Sequence, residues 1–230
     1  LRTAALWSGI IEDMNQMSSR FETFAFAETP AETQVANSAC KRLVDLVVAG
    51  LALLLLAPLL LLVAVAIKLE SAGPVFFRQR RTGLGGRSFM ILKFRSMRQH
   101  DDHKVAQATR NDSRITRFGA VIRALSIDEL PQLLNVLRGD MSLVGPRPHA
   151  TAHDLSWSLV VPDYADRFRA RPGLTGFAQV SGCRGEVFST DDIAARVRAD
   201  NAYIERWSLG LDLSIALRTI PLIFADPRAY

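Results

Sequence analysis

The sequence predicts a helix-rich α/β protein of the monotopic membrane class. One proline-broken hydrophobic helix re-enters the leaflet it came from, and a domain of short strands and amphipathic helices follows. Three observations lead there. Leu46 to Ile67 is 22 residues without a charge, about 33 Å as a straight helix and long enough for a hydrocarbon core of about 30 Å. Pro58 stands near its middle, with Lys41 and Arg42 before the run and Lys68, Arg78, Arg80 and Arg81 after it. Beyond the run, strand-like and helix-like pieces alternate between Gly- and Pro-rich breaks.

Proline removes a backbone hydrogen bond and clashes with the preceding turn, so a bend is expected at Pro58. The halves on either side are about 18 and 15 Å long, each too short to cross alone. Basic residues at both ends place both flanks in the cytoplasm by the positive-inside rule. A helix that dips in, breaks at Pro58 and returns meets both conditions. A kinked span and a buried core helix are the alternatives. A signal peptide does not fit a run of this length that starts past residue 40.

The 230 residues carry 28 Lys+Arg against 23 Asp+Glu, a formal charge of +5, with 49% apolar and 22% charged residues. This composition supports a packed core and excludes wholesale disorder, collagen, coiled coil and repeat arrays. Cys40 and Cys183 are too few and too far apart for a disulfide framework. The organisation expected is an N-terminal extension over 1–40, the membrane helix over 41–70 and a catalytic domain over 71–230.

A short helix is read around Ile10–Phe26. Pro74-Val-Phe-Phe77 reads as a strand, Arg78–Gly86 as a basic turn, and Ser88–Phe94 as a second strand with Phe89, Ile91 and Leu92 inward. Lys68 to Arg98 holds eight basic residues and one acidic, either a solvated basic face or an attractor of headgroups or a phosphorylated ligand. Residues 101–113 read as a loop. Ile115, Phe118, Ile122 and Leu125 form one helical stripe, and a second helix is expected from about Glu129 to Leu137, stopping at Arg138-Gly139. Gly145–Pro148 is too rigid for a helix or central strand, and Arg171–Gly176 is turn-rich. Trp207–Phe224 is either an interfacial amphipathic helix or a packed terminal one.

Asp128-Glu129 admits two readings. Ser126…Glu129 makes a capping box, or Asp128 an N-cap ahead of Pro131. Alternatively one carboxylate holds Mg²⁺ with substrate oxygens while its neighbour attacks phosphorus. Arg147, between two prolines, and Arg171, before Pro172-Gly173, suit phosphate or nucleobase recognition. His149 and His153 have a zinc-like i,i+4 spacing without a third ligand, and His100 and His103 are expected to be solvated. No Walker A or GxGxxG pattern is present.

Three stretches, Lys93-Phe-Arg-Ser-Met97, Leu125 to Pro148 and Arg171 to Val180, resemble together the bacterial sugar transferase family of monotopic polyprenyl-phosphate phosphoglycosyltransferases. The likeness covers about residues 39–224. It implies a re-entrant helix, an α/β catalytic domain on the cytoplasmic face of the bacterial inner membrane, and Mg²⁺ dependence. It also implies transfer of a sugar 1-phosphate from a nucleotide diphosphate sugar to a polyprenyl phosphate. By resemblance Asp128 is the nucleophile and Glu129 its metal-binding partner. Lys93, Arg95, Arg123, Arg147, Arg171 and Gln179 are implied substrate-binding positions. Pro148–His153 and Gly182–Glu186 are similar to members that start exopolysaccharide with glucose, which points to UDP-glucose first and UDP-galactose second. Ala57 replaces a common Ser before the proline and Gly210 a common aromatic; about 40 residues before the helix match the short form.

The partners implied are a UDP-sugar, undecaprenyl phosphate and membrane lipid, with no nucleic acid and a homo-oligomer left open. The rival readings are a nucleic-acid binder, suggested by the basic cluster, a membrane scaffold without catalysis, and a glycosyltransferase that releases UDP.

Overall fold

The computed structural model describes residues 33–98, 112–183, 185 and 187–225. The expected helix at Ile10–Phe26, the loop over 101–111 and His100 and His103 lie outside these residues. Helix α1 (Gln34–Asn37) and helix α2 (Ala39–Glu70) come first. Thr33 and Ser38 cap them, each side chain accepting from a backbone N–H of the first turn. Val35 and Ala36 are buried in the body of the protein.

Helix α2 is helical throughout its 32 residues with Pro58 inside it, so the break expected at Pro58 is not seen as an interruption of the helix. It is the one helix among the described residues long and apolar enough to cross a membrane. Its leucines are largely exposed, Leu54 and Leu55 by 72% and 77%. One narrow stripe faces the domain instead: Lys41, Asp45, Ala49, Val63 and Ile67 are buried, with Ala52, Leu53 and Leu60 partly so. These positions recur every three or four residues, the spacing of a single helix face.

Strands β1 (Phe76–Thr82) and β2 (Ser88–Phe94) form an antiparallel hairpin that pairs Phe77 with Lys93 and Arg81 with Phe89. The second strand has the expected bounds, with Ile91 and Leu92 buried. The first is longer than the sequence suggested. Arg78–Thr82, read as a turn, is strand, because pairing against Ser88–Leu92 satisfies its backbone; the turn is confined to Gly83–Arg87.

Helix α3 (Arg117–Ala124) is capped by Thr116, and helix α4 (Gln132–Arg138) ends on Gly139 at φ 93°, the left-handed terminator anticipated there. Strand β3 (Ser142–Val144) lies parallel to β4 (Gly173–Thr175). Arg171–Gly176 is therefore partly strand rather than loop. Side chains on Gly145 or Gly173 would collide with the backbone of the facing segment, so glycine permits this close approach. Helices α5 (Thr151–Ser158), α6 (Phe177–Val180), α7 (Thr190–Glu205) and α8 (Leu209–Ala225) complete the body.

Asn135 joins helix α4 to the hairpin. Fully buried, it accepts from the Leu92 N–H at 3.0 Å and donates to the Met90 carbonyl at 2.8 Å. It thereby acts as a missing third strand for β2. Asn135→Ala leaves the buried Leu92 N–H without a partner and removes the bond to the Met90 carbonyl, at about 2–4 kcal/mol together. Thermal melts in detergent are expected to show a loss of about 5–15 °C; an unchanged melting temperature would refute the bridging role.

Candidate active site

Asp128 and Glu129 occupy a 3₁₀ turn, Ile127–Glu129. Neither capping reading holds. Ser126 makes no side-chain cap, and helix α4 starts three residues later behind Pro131, also without a side-chain cap. Ser126 instead adopts φ 54°, ψ 19°, a left-handed conformation uncommon for a residue with a side chain. That reversal sends Ile127 into the cluster around Ile122 and leaves the two carboxylates on the other side.

Glu129 is held by two cations. Lys93 Nζ lies 2.7 Å from Oε1; Arg147 donates to Oε1 at 2.6 Å and to Oε2 at 3.3 Å. Burial opposes ionisation of Glu129, but Arg147 and Lys93 together outweigh it and hold the carboxyl well below the usual range. Asp128 is only 7% exposed, and no donor among the described residues is hydrogen-bonded to its carboxylate. Burial pushes its pKa up to about 6, with the Glu129 charge adding and Lys93 and Arg123 opposing. Adjacent carboxylates are thus driven apart, one firmly ionised and the other reluctant.

The predicted site residues separate into two groups. Lys93, Arg123 and Arg147 surround the pair; Arg123 also reaches Ser96 Oγ at 3.4 Å. The other three engage elsewhere. Arg95 donates to the carbonyls of Ser71 and Ala72, at the exit of the hydrophobic helix. Arg171 donates to the carbonyls of Gly139 and Ala36, with Arg42 and Asp45 as charged neighbours. Gln179 is buried beside Gly176.

Sequence reasoning missed Arg81. Its stretch has the composition of a turn, yet strand alternation puts it on the hairpin face that carries Lys93. Its guanidinium donates to the Pro148 carbonyl at 3.1 Å. Burial, then the Arg147 charge, lowers its pKa to about 10. A second missed group lies behind Arg147. Arg167 donates to the Arg147 carbonyl at 2.6 Å and to His149 Nδ1 at 2.7 Å, and pairs with Asp200 at 2.7 Å. Tyr164 donates to Asp154 at 2.6 Å. His149 precedes helix α5 and His153 lies within it, so the two share no zinc-binding face. Burial and the Arg167 charge hold His149 neutral. Among the described residues no group of three or more His, Cys, Asp or Glu could hold a metal.

The profile described as "Bacterial sugar transferase" matches residues 36–226. The chain belongs to the bacterial sugar transferase family. It is 58% identical over 198 residues to the UDP-glucose:undecaprenyl-phosphate glucose-1-phosphate transferase of Caulobacter vibrioides, covering 86% of this chain and 74% of that protein. A protein of the same name from Xanthomonas campestris pv. campestris is 51% identical, covering 83% of this chain and 40% of its own length. An exopolysaccharide production protein of Rhizobium leguminosarum bv. phaseoli is 46% identical, covering 78% and 92%. This sugar transferase chain thus spans about two fifths of one relative and most of the other two.

In the family member described here, the raised pKa of Asp128 carries a stability cost. The folded state binds a proton more readily than the unfolded chain between about pH 4 and 6, so stability falls as pH rises through that window. Asp128→Asn removes the cost, up to about 3 kcal/mol. Its melting temperature is expected to match wild type near pH 4, to rise above it through pH 6, and to hold that lead at pH 8. A constant or reversed difference would refute the assignment.

Proposed function

We propose that the protein transfers a hexose 1-phosphate from a UDP-sugar, UDP-glucose first and UDP-galactose second, to undecaprenyl phosphate, releasing UMP. The reading rests on one observation: a buried carboxylate, Asp128, with no hydrogen-bond donor among the described residues, beside a carboxylate clamped by two cations. A cap would have spent Asp128 on backbone N–H groups; a nucleophile must keep its oxygens free. The names carried by two relatives at 58% and 51% identity support the substrate class, and that of a third at 46% supports a role in exopolysaccharide production.

The chemistry takes two displacements. An Asp128 oxygen attacks the sugar-bearing phosphorus, the bond from that phosphorus to the bridging oxygen breaks, and UMP leaves with the electron pair. An oxygen of the lipid phosphate then attacks the same phosphorus, and Asp128 departs as carboxylate. Lys93, Arg123, Arg147 and Arg81 outnumber the two acids around the site, which favours the charge of a diphosphate. A pKa near 6 leaves Asp128 ionised at neutral pH while keeping it basic enough to attack.

Mg²⁺ fits the site. It takes one or two protein carboxylates and completes its shell with phosphate oxygens and water. Glu129, whose Oε2 has only a 3.3 Å contact, would hold it and leave the Asp128 oxygens for attack. Bound there, it neutralises charge on the diphosphate. The rival that releases UDP has no use for the free carboxylate next to the diphosphate.

Contacts at both ends of helix α2 support the membrane placement. At its start, Lys41 pairs with Asp212 at 2.6 Å, Arg42 donates to the carbonyls of Val136 and Leu137, and Asp45 accepts from the Leu143 N–H. At its end, Glu70 accepts from the Phe118 N–H, and Arg95 grips Ser71 and Ala72. One polar body holds both ends, which favours both ends lying on one side of the bilayer; a return of that kind requires the helix to bend at Pro58 within its continuous helical run. The exposed stripe Leu209, Leu213, Leu217 and Ile220 on helix α8, opposite buried Ile215, suits the interface plane. The site then faces the cytoplasm at the inner membrane, where the headgroup of a lipid phosphate resides.

Purified protein mixed with Mg²⁺, UDP-glucose and undecaprenyl phosphate is expected to release UMP. Asp128→Asn should lower the rate about 10³-fold or more, and chelation should stop it. Release of UDP, or full activity in the variant, would overturn the reading. Topology is read separately in a Cys183→Ser background. Native Cys40 and an introduced Ala72→Cys should both resist an impermeant maleimide in intact cells and both react after lysis. Labelling of one alone in intact cells would establish a crossing helix.

A further inference from the structure

The segment that carries Arg147 is held from three sides. The Gly145 N–H donates to the Thr175 carbonyl at 2.9 Å, and the Pro146 carbonyl accepts from the Gly173 N–H at 2.9 Å. Arg81 holds the Pro148 carbonyl, and Arg167 holds the Arg147 carbonyl itself at 2.6 Å. The first three contacts belong to the strand pair and the hairpin. The last reaches in from a 3₁₀ segment, Tyr164–Arg169.

Arg167 is 2% exposed, and a buried guanidinium is retained only where its donors are matched. Here every donor nitrogen is matched: Nε and one terminal nitrogen to Asp200, the other to His149 Nδ1, and the Arg147 carbonyl shared with the Asp200-facing nitrogen. Asp200 is itself 2% exposed on helix α7. The Arg147 backbone is thus tied to a buried ion pair anchored on a separate helix. Its side chain, 36% exposed, meets Glu129 on the open side.

We propose that Arg167 is a positioning residue: by holding the Arg147 carbonyl it fixes the Arg147 guanidinium against Glu129, and with it the geometry of the acidic pair. The kinetic test rests on the phosphosugar-transfer reading; the placement itself does not. Lysine at position 167 keeps the charge but cannot serve Asp200, His149 and the Arg147 carbonyl at once. A misplaced group of this kind costs about 10²-fold in rate.

The experiment is a double-mutant cycle in full-length protein, reading UMP release, the KM for UDP-glucose and the melting temperature. Arg167→Lys is expected to lower kcat about 10²-fold with KM changed less than about 3-fold. In an Arg147→Met background the same change should cost less than about 3-fold, while the loss in melting temperature is equal in both backgrounds. Equal rate losses in the two backgrounds, or a change confined to KM, would overturn the proposal. Should Arg167→Lys not fold, Asp200→Asn, which retains the guanidinium and an acceptor oxygen, is judged by the same criteria. If wild type itself releases no UMP, the transfer reading falls, and placement is read directly from the Arg147 side-chain N–H resonance. A signal that is ordered in wild type and averaged in the variant supports positioning; one unchanged overturns it.

Discussion

Two neighbouring carboxylates cannot be buried together unless something neutralises at least one of them. The molecule meets this constraint by bringing two cations to Glu129 from distant parts of the chain: Lys93 from the hairpin and Arg147 from the segment after β3. Each cation then needs its own support. Lys93 is fixed by strand pairing with Phe77, the hairpin by Asn135, and the Arg147 segment by contacts from β4, Arg81 and Arg167. Much of the fold between residues 76 and 200 is scaffolding for one ionised acid. Asp128, left with electrostatic neighbours but no hydrogen-bond donor among the described residues, is the group this arrangement keeps available.

The hydrophobic helix answers to a different constraint. Lipid tails offer no hydrogen bonds, so polar groups at its ends must be satisfied where the helix leaves the bilayer. The body supplies those partners at both ends while leaving most of the leucine surface bare. Membrane attachment and the acidic pair are consequently features of one folded unit. Helix α4 touches both, packing Leu133 and Val136 against Ala49 and presenting Asn135 to the hairpin.

What the sequence made legible was whatever depends on local pattern. The leucine run, the second strand, the terminator Gly139 and the specific Asp128–Pro148 stretch are all written in consecutive residues. The failures share a cause. Arg78–Thr82 looks like a turn because five consecutive polar residues hide the alternation that pairing enforces. Arg171–Gly176 looks like a loop because its strand partner lies about 30 residues upstream. Ser126-x-x-Glu129 fits a capping box, yet a left-handed Ser126 diverts the chain before any helix begins. Arg167 and Asp200 carry no local signal, since each is ordinary until the fold buries them against one another. Arg95 and Arg171, named from motif position, donate to backbone carbonyls at the exit of helix α2 and at Ala36, contacts that no local pattern announces.

The ion pair between Lys41 and Asp212 also has a temporal side. Its members are 171 residues apart, and ribosomes add about 5–20 residues per second. The apolar helix therefore emerges, and can reach lipid, about 10–30 s before its buried lysine has a carboxylate to meet. Arg42 and Asp45 on the same turns meet Val136, Leu137 and Leu143 earlier, so Lys41 is the last group at the head of the helix to gain its partner. Full docking of the amino-terminal end is thus coupled to synthesis of helix α8: the membrane receives the anchor early, and its buried lysine is locked last.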